Sequence, residues 1–301
     1  MKKRHVILAI LIILLSHGPL LTATQISQGD IFITVATPGN VYRITNGGDY
    51  STATPFATGL TDAVGLVFSP NGRLYTSCSS GRVFDITAGG DFSSASPFAW
   101  GLGYVNEMTV TTTGKILVKD IRRDNVMDIT FGGDFSTALA FATGLDGYSL
   151  LATSAGRVLA GDEYYVYDIT AGGNFSSAPP FAWNDRATSL AESPSGRIYC
   201  LNYSGYVKDI TGGGDMSTRP NFAYGLYHPI DIAFDSSGRL FASLESSKAV
   251  LDISAGGNCS GLTPFATGLN INPEQIAIAT IPEPATLFLL LAGTLILRKR
   301  K

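Results

Sequence analysis

The amino-acid sequence predicts an all-β fold, a six-bladed β-propeller of four-stranded blades. One unit recurs six times along the 301-residue chain, at intervals of 40 to 43 residues. Each unit has room for four short strands, and a strand missing from the first unit is found after the last. Repeats of this length with four strands each are typical of propeller blades.

The second copy shows the strand pattern of the unit. Residues 66–68 lead into a Ser-Pro-Asn-Gly turn, which is hairpin chemistry, and residues 73–76, 83–87 and 97–99 follow as three further strands. A Gly-Gly turn separates the third strand from the fourth. The copies are marked by the Ile before that turn: Ile44, Ile86, Ile129, Ile169, Ile210 and Ile253.

The first copy begins near residue 30 and lacks the innermost strand, which residues 275–279 supply from the other end of the chain. Such an exchange closes a ring and removes exposed sheet edges. The blade pattern resembles the NHL-like and SMP-30-like six-bladed propellers over the whole body of the chain. An open β-solenoid is the alternative, although it would not need the exchanged strand.

Residues 1–24 are predicted to be a secretory signal peptide. Lys2, Lys3 and Arg4 form a positive start, residues 6–15 are an apolar run, and small residues precede a cleavage site after Ala23 or Thr24. An uncleaved anchor helix is the alternative. The propeller is then predicted over residues 25–280.

Residues 281–301 are predicted to be a hydrophobic sorting helix. The uncharged run 285–297 would span about 20 Å as a helix, short of the roughly 30 Å bilayer core, so the flanking cations must snorkel. The order of parts resembles the PEP-CTERM sorting signal, which implies transient membrane anchoring, recognition by an exosortase-type enzyme, and delivery to the envelope, outer surface or exopolysaccharide matrix of a bacterium. A plain anchor is the alternative. The residues that carry the resemblance are Pro282, Glu283, Pro284, Arg298, Lys299 and Arg300.

Composition narrows the function classes. The chain has a net charge of −3, but seven of its basic residues lie at the two ends, which leaves 14 basic and 23 acidic residues between them. Such an acidic body disfavours nucleic-acid binding. His228 is the only histidine outside the leader, so a His-rich metal site or a Ser-His-Asp triad is nearly excluded. Three cysteines, Cys78, Cys200 and Cys259, leave at least one unpaired within a monomer.

Several residue types recur at fixed blade positions. The Phe of each Phe-Ala pair is expected in the core, and the Asp of each Asp-Ile pair is expected to accept hydrogen bonds from its loop, with calcium binding as the alternative. Trp100 and Trp183 share one position at the end of the outermost strand, where packing under a loop is favoured over a sugar platform. The recurrent aspartates are Asp85, Asp128, Asp168, Asp209 and Asp252.

Aligned innermost strands predict a channel lining. The lining column is small or polar and contains two carboxylates, Glu107 and Asp231, while Asn106 and His228 fall near the same entrance. Asp62, Asp185 and Glu274 are expected there as well. The full column reads Gly65, Glu107, Ser149, Ser189, Asp231 and Gln275.

Two functional hypotheses use this entrance. In the favoured one the protein has no cofactor and is a non-enzymatic binding or structural protein whose entrance contacts an exopolysaccharide or other surface glycan. In the alternative, Glu107, Asp231 and Asn106 hold Ca²⁺, which polarises a lactone or ester carbonyl as the SMP-30 resemblance implies.

Overall fold

A computed structural model describes residues 25–269 and 271–280. These residues form six five-stranded sheets, so the all-β six-bladed propeller is confirmed. The predicted signal peptide, 1–24, and sorting tail, 281–301, lie outside the described residues. Within the described ranges no helix has the length and apolar character needed to cross a bilayer.

Each sequence repeat contributes its strands in chain order. The first repeat forms β1 (Ile31–Thr37), β2 (Asn40–Arg43), β3 (Gly48–Asp49) and β4 (Ala57–Thr58). The second forms β5 (Ala63–Phe68), β6 (Leu74–Cys78), β7 (Arg82–Asp85), β8 (Gly90–Asp91) and β9 (Ala99–Trp100). The third forms β10 (Val105–Val110), β11 (Ile116–Asp120), β12 (Asn125–Asp128), β13 (Gly133–Asp134) and β14 (Ala142–Thr143).

The other three repeats follow the same plan. The fourth forms β15 (Leu150–Ala152), β16 (Val158–Gly161), β17 (Tyr165–Asp168), β18 (Gly173–Asn174) and β19 (Ala182–Trp183). The fifth forms β20 (Ala187–Glu192), β21 (Ile198–Asn202), β22 (Val207–Asp209), β23 (Gly214–Asp215) and β24 (Asn221–Tyr224). The sixth forms β25 (Pro229–Phe234), β26 (Leu240–Leu244), β27 (Ala249–Asp252), β28 (Gly257–Asn258) and β29 (Ala266–Thr267), and β30 (Ile271–Ile278) ends the body.

Each sheet has one strand more than the four predicted. The fifth strand is the two-residue segment after the Gly-Gly turn of the next repeat, which pairs in parallel with the outermost strand of the preceding blade. In the first blade β8 pairs with β4, and the backbone N–H of Gly90 donates to the carbonyl oxygen of Phe56 at 2.9 Å. Neighbouring blades are therefore joined by backbone hydrogen bonds as well as by side-chain packing.

The first glycine of the Gly-Gly turn is needed for this junction. Gly89 has φ +63°, and a Cβ atom there would lie 2.7 Å from the carbonyl oxygen of Phe56 in the preceding blade. Gly90 has φ +102° but nothing within 4 Å of its Cβ position. Only glycine satisfies both the backbone conformation and the close approach at the first position.

The ring closes at two places. β30 pairs antiparallel with β1, matching Ile31 with Ile278 and Ile33 with Ile276, so the predicted strand exchange is confirmed. At the outer edge β3 of the first repeat pairs with β29 of the sixth. Both ends of the repeat array are thus tied together, and no innermost strand is missing from any blade.

The recurrent Phe and Asp residues have the structural roles predicted for them. The six Phe side chains of the Phe-Ala pairs pack half-buried against the six apolar clusters between sheets. Asp85 Oδ1 accepts the backbone N–H of Thr87 at 3.1 Å, and Arg73 forms an ion pair with Asp85 Oδ2 at 3.1 Å. Asp91 likewise accepts the N–H of Ser93 at 2.9 Å, which fixes the turn into the fifth strand.

The three cysteines are all free and buried. Burial raises the pKa of the Cys78 thiol to about 11 and raises that of Cys200 further. The thiolate form that reacts with oxidants and metals is therefore disfavoured, and these side chains act as small apolar residues.

Candidate functional site

The predicted channel lining forms a ring of six residues, here called the channel ring. Five members stand on the innermost strands around the propeller axis, and Ser149 directly precedes one. The carboxylic side chains are buried, with Glu107 6% and Asp231 5% exposed. The channel ring consists of Gly65, Glu107, Ser149, Ser189, Asp231 and Gln275.

Side chains of the channel ring bind the backbone of the next blade. The N–H of Ile276 donates to Asp231 Oδ2 at 2.7 Å, the N–H of Leu66 donates to Gln275 Oε1 at 2.5 Å, and the N–H of Ile232 donates to Ser189 Oγ at 3.2 Å. An innermost strand has no neighbouring strand on its channel side, so its inward N–H groups need other partners. Ser189, Asp231 and Gln275 meet this need for the next blade, whereas the buried Ser149 Oγ has no hydrogen-bond partner among the described residues.

The two carboxyl groups of the channel ring are also linked to its other side chains. Ser189 Oγ donates to Asp231 Oδ1 at 2.5 Å, and Gln275 Nε2 donates to Glu107 Oε1 at 3.1 Å. Burial raises the pKa of Asp231 to about 6. Burial, and then the nearby Asp231 carboxylate, raise the pKa of Glu107 well above its ordinary value. Both groups therefore favour the neutral form more than an exposed carboxyl does.

This arrangement does not fit a calcium site. Ca²⁺ takes about six to eight oxygen ligands, whereas the oxygens of Glu107 and Asp231 accept hydrogen bonds from protein donors. The amide nitrogen of Asn106 donates to the carbonyl oxygen of Tyr148 at 3.4 Å. A cavity of about 20 Å³ does separate these three side chains, enough for one water molecule. Among the described residues no group of three or more His, Cys, Asp or Glu side chains is placed to hold a metal ion.

The channel ring divides the propeller channel into two cavities. One, of about 230 Å³, is lined by the last residues of the innermost strands, including Phe68, Phe234 and Ile278. The other, of about 290 Å³, lies at the opposite face, where the loops between second and third strands meet those entering the innermost strands. We call the second cavity the entrance pocket. Its lining is Asn106, Tyr148, Arg186, Thr188, Tyr203, His228, Pro229, Ile230, Glu245 and Glu274.

Arg186 is the cation of the entrance pocket, and the sequence analysis missed it. Its guanidinium carbon lies 4.9 Å from the ring centre of Tyr148 and 5.1 Å from that of Tyr203, so the two rings hold it by cation–π contacts. Its Nε atom is buried without a hydrogen-bond partner. Within residues 25–269 and 271–280 no carboxylate forms an ion pair with it.

One signal in the sequence does point to Arg186. The position three residues before each channel-ring member is occupied by five different residue types in six blades, whereas the position directly after each member is Leu, Met or Ile in every blade. Such variation within a repeat marks a position that the fold does not dictate. The six residues are Asp62, Tyr104, Asp146, Arg186, His228 and Asn272.

Acidic groups and the lone histidine lie at the side of the pocket formed by the sixth and first blades. Burial, with smaller contributions from Glu245 and Asp231, raises the pKa of Glu274 to about 7. His228 Nδ1 lies 3.9 Å from Glu245 Oε2, and both side chains are about half-exposed. The entrance pocket thus brings Asn106, His228 and Glu274 together.

The structure places the other two predicted entrance residues outside the pocket lining. Asp185 forms an ion pair with Lys208 at 3.1 Å and accepts the side-chain amide of Asn202, so it is engaged within its own blade. Asp62 accepts the hydroxyl of Ser79 at 3.0 Å, which ties together two loops of the second blade. Both carboxylates support loops at the entrance face.

The fold and the site define a six-bladed propeller with a polar, aromatic-walled pocket at one end of its channel. No family model and no curated protein sequence matches the chain. Among solved structures it is similar to a gluconolactonase from Xanthomonas campestris, with a TM-score of 0.50 and 15% identity over 79% of this chain and 85% of that one.

Two further structures are similar. A protein of unknown function from Bacteroides caccae has a TM-score of 0.55 and 12% identity, with 84% of this chain and 99% of that one covered. A streptogramin B lyase has a TM-score of 0.45 and 15% identity, with 70% and 75% covered. At these identities the likeness to the gluconolactonase and to the Bacteroides caccae protein shows the fold alone.

Proposed function

We propose that this chain is an exported, non-enzymatic binding protein of the bacterial cell envelope or extracellular matrix, and that its entrance pocket binds a surface glycan such as an exopolysaccharide. The observation that carries the proposal is the guanidinium of Arg186, which contacts the rings of Tyr148 and Tyr203 in a pocket that also contains Glu274. No carboxylate of the described residues forms an ion pair with it. Donor, acceptor and aromatic wall are present together.

A sugar ring is complementary to these three features. Each hydroxyl both donates and accepts hydrogen bonds, so neighbouring hydroxyls can accept from Arg186 and donate to Glu274 or Glu245. The apolar C–H face of the sugar ring suits the ring of Tyr203, which is 64% exposed, and that of the half-buried Tyr148. The volume of about 290 Å³ is at the small end of the range for ligand pockets, which suits one sugar residue rather than a large cofactor.

Binding is favoured over the calcium-dependent lactonase or esterase alternative. That reaction needs a cation to polarise the carbonyl group, and the oxygens expected to hold it, on Glu107 and Asp231, are bound to Ser189, Gln275 and backbone N–H groups. The likeness to a gluconolactonase concerns the fold and carries no ligand set to this chain.

Export and sorting are proposed from the two ends of the sequence. The leader 1–24 and the tail with Pro282, Glu283 and Pro284 support secretion followed by handling by an exosortase-type enzyme. Cell fractionation checks this: the full chain should reach the envelope or medium, and a chain without residues 281–301 should escape retention. Finding the full chain in the cytoplasm would contradict export.

The binding proposal is tested by Arg186→Met. We expect the wild type to bind at least one bacterial polysaccharide on a glycan array, and the variant to bind it at least about tenfold more weakly, because charge-assisted hydrogen bonds are lost. Arg122→Met is the matched control, since Arg122 is exposed in a loop of the third blade and does not line the pocket. Absence of any glycan binding by the wild type, or an unaffected Arg186→Met variant, would overturn the proposal.

A further inference from the structure

Exposed aromatic side chains are concentrated in one stretch of the chain. Trp100 is the only large apolar side chain that is exposed between residues 25 and 130, whereas seven exposed tyrosine and tryptophan side chains fall between residues 164 and 227. We call these seven the aromatic rim. The rim consists of Tyr164, Tyr165, Trp183, Tyr203, Tyr206, Tyr224 and Tyr227, with exposed fractions from 38% to 70%.

The aromatic rim lies at the same face as the entrance pocket. Tyr164 and Tyr203 stand in the loops between second and third strands of the fourth and fifth blades, and Trp183 and Tyr224 end the outermost strands of those blades. Tyr165 is the cross-strand partner of Trp183, so their side chains are neighbours on one side of the sheet. The sequence analysis favoured packing of Trp183 and Trp100 under a loop, which is wrong: they are 38% and 43% exposed.

The rim is continuous with the pocket through Tyr203. This ring contacts the Arg186 guanidinium, with 5.1 Å between cation and ring centre, and is itself 64% exposed. Tyr227 lies beside His228 of the pocket, with ring centres 4.6 Å apart. A chain-like ligand with one unit in the pocket therefore meets further aromatic rings as it leaves over the fourth and fifth blades.

The composition of the rim favours a polysaccharide as the occupant. Every rim side chain is Tyr or Trp, which presents an apolar ring face and a polar tip. The purely apolar exposed side chains of the described residues, Phe131, Leu139 and Leu262, lie in the segments between third and fourth strands and are not part of the rim. A sugar polymer is complementary to these side chains. Its C–H faces can stack on the aromatic rings, and its hydroxyl groups can form hydrogen bonds with the tyrosine hydroxyls.

We infer that the aromatic rim is an extended binding surface, here called the track, for a polysaccharide chain. One sugar residue of that polysaccharide occupies the entrance pocket. This inference rests on the proposed function and adds the polymeric nature of the ligand and the blades it crosses. The affinity for oligosaccharides then rises with their length, because each further sugar residue stacks on another ring. The rim contacts the further sugar residues of the polysaccharide, whereas Arg186 contacts only the sugar residue in the pocket.

The test uses mono- to octasaccharides, separated by size from an acid hydrolysate of the host's purified exopolysaccharide. Calorimetry on the full propeller should show tighter binding with increasing length. Trp183→Ala should weaken binding of the longest fraction by about tenfold and leave the shortest binding fraction unchanged. Trp100→Ala is the matched control, because Trp100 has the same blade position and similar exposure but stands alone in the second blade.

A second measurement, of Trp183 fluorescence, remains informative even if Trp183→Ala destabilises the protein. The chain has two tryptophans, so Trp100→Phe leaves Trp183 as the sole indole, and its fluorescence should shift on addition of the long fraction and stay constant with the short one. If the affinity did not depend on oligosaccharide length and the Trp183 fluorescence did not change, the track would be refuted. The proposal that the pocket binds a sugar residue would still stand. Absence of binding by every fraction would overturn both, and quenching by a co-purifying protein instead of sugar would assign the rim to a protein partner and refute the track.

Discussion

Replacing Asp231 with asparagine should stabilise the propeller at neutral pH. Asp231 is 5% exposed and burial raises the pKa of its carboxyl group from 3.8 to about 6. Asparagine has the shape of the protonated acid. Its carbonyl oxygen can accept the N–H of Ile276, and its amide can donate to Ser189 Oγ, since a hydroxyl accepts as well as donates. The variant therefore keeps the hydrogen bond from Ile276, reverses the one with Ser189, and loses the buried charge.

The magnitude follows from the pKa shift. A rise from 3.8 to about 6 corresponds to about 3 kcal/mol of free energy of unfolding. Between these pH values the folded state holds a proton that the unfolded chain has released, so stability falls as the pH rises. The loss is complete above about pH 6 and absent below 3.8. The pKa values of Glu107 and Glu274 are raised as well, so they add to the same trend in both proteins.

The assay is urea unfolding followed by tryptophan fluorescence between about pH 4 and pH 8. Wild-type stability should decline through this range, and Asp231→Asn should decline less and be more stable by up to about 3 kcal/mol at neutral pH. Asp91→Asn is the control, since hydrogen bonds from Ser93 lower the pKa of this exposed carboxyl and equivalent blades carry Asn174 and Asn258. An Asp231→Asn variant with the pH dependence of the wild type would refute the reasoning.

Two further predictions concern the pocket and the blade junctions. Glycan affinity of the wild type should strengthen as the pH rises through about 7, because Glu274 then ionises and becomes a stronger hydrogen-bond acceptor. In a pH series of calorimetric titrations, Glu274→Gln should weaken this pH dependence. A variant with the pH dependence of the wild type would show that Glu274 does not bind the glycan. Gly89→Ala should lower the midpoint of thermal unfolding more than Gly90→Ala, because both residues have positive φ but only the first meets the carbonyl oxygen of Phe56. Equal losses would show that conformation alone, and not the close approach, requires glycine at the junction.

The blade count and the ring closure could be predicted because both depend on patterns within the sequence. Six copies of one unit set the number of sheets, and residues 275–279 carry the apolar alternation that the first copy lacks. The fifth strand of each sheet could not be predicted in this way. Gly90 and Asp91 have no apolar periodicity, and they pair only because the preceding blade presents a free backbone edge. A strand made by tertiary contact leaves no pattern of its own.

The candidate site was predicted in position but not in chemistry. Aligning the innermost strands placed Glu107 and Asp231 in one column, and the structure places them in one buried ring. The sequence does not show that their partners are backbone N–H groups of the next blade, since those groups are the same in every residue. Arg186 could not be predicted from the pattern of acidic residues. Its environment is made by Tyr148 and Tyr203, which stand in loops far apart in sequence.

The polar residues of the channel thus divide by role along the propeller axis. Members of the channel ring bind the backbone on both sides of the ring closure. Asp231 of the sixth blade accepts the N–H of Ile276 in β30, and Gln275 of β30 accepts the N–H of Leu66 in the second blade. The entrance pocket holds Arg186, whose Nε atom has no hydrogen-bond partner among the described residues. The body begins and ends at the other face, where the N–H of Gly29 donates to the carbonyl oxygen of Ala279 at 2.8 Å and Thr280 lines the opposite cavity. Both ends of the described propeller therefore lie at the face opposite the entrance pocket.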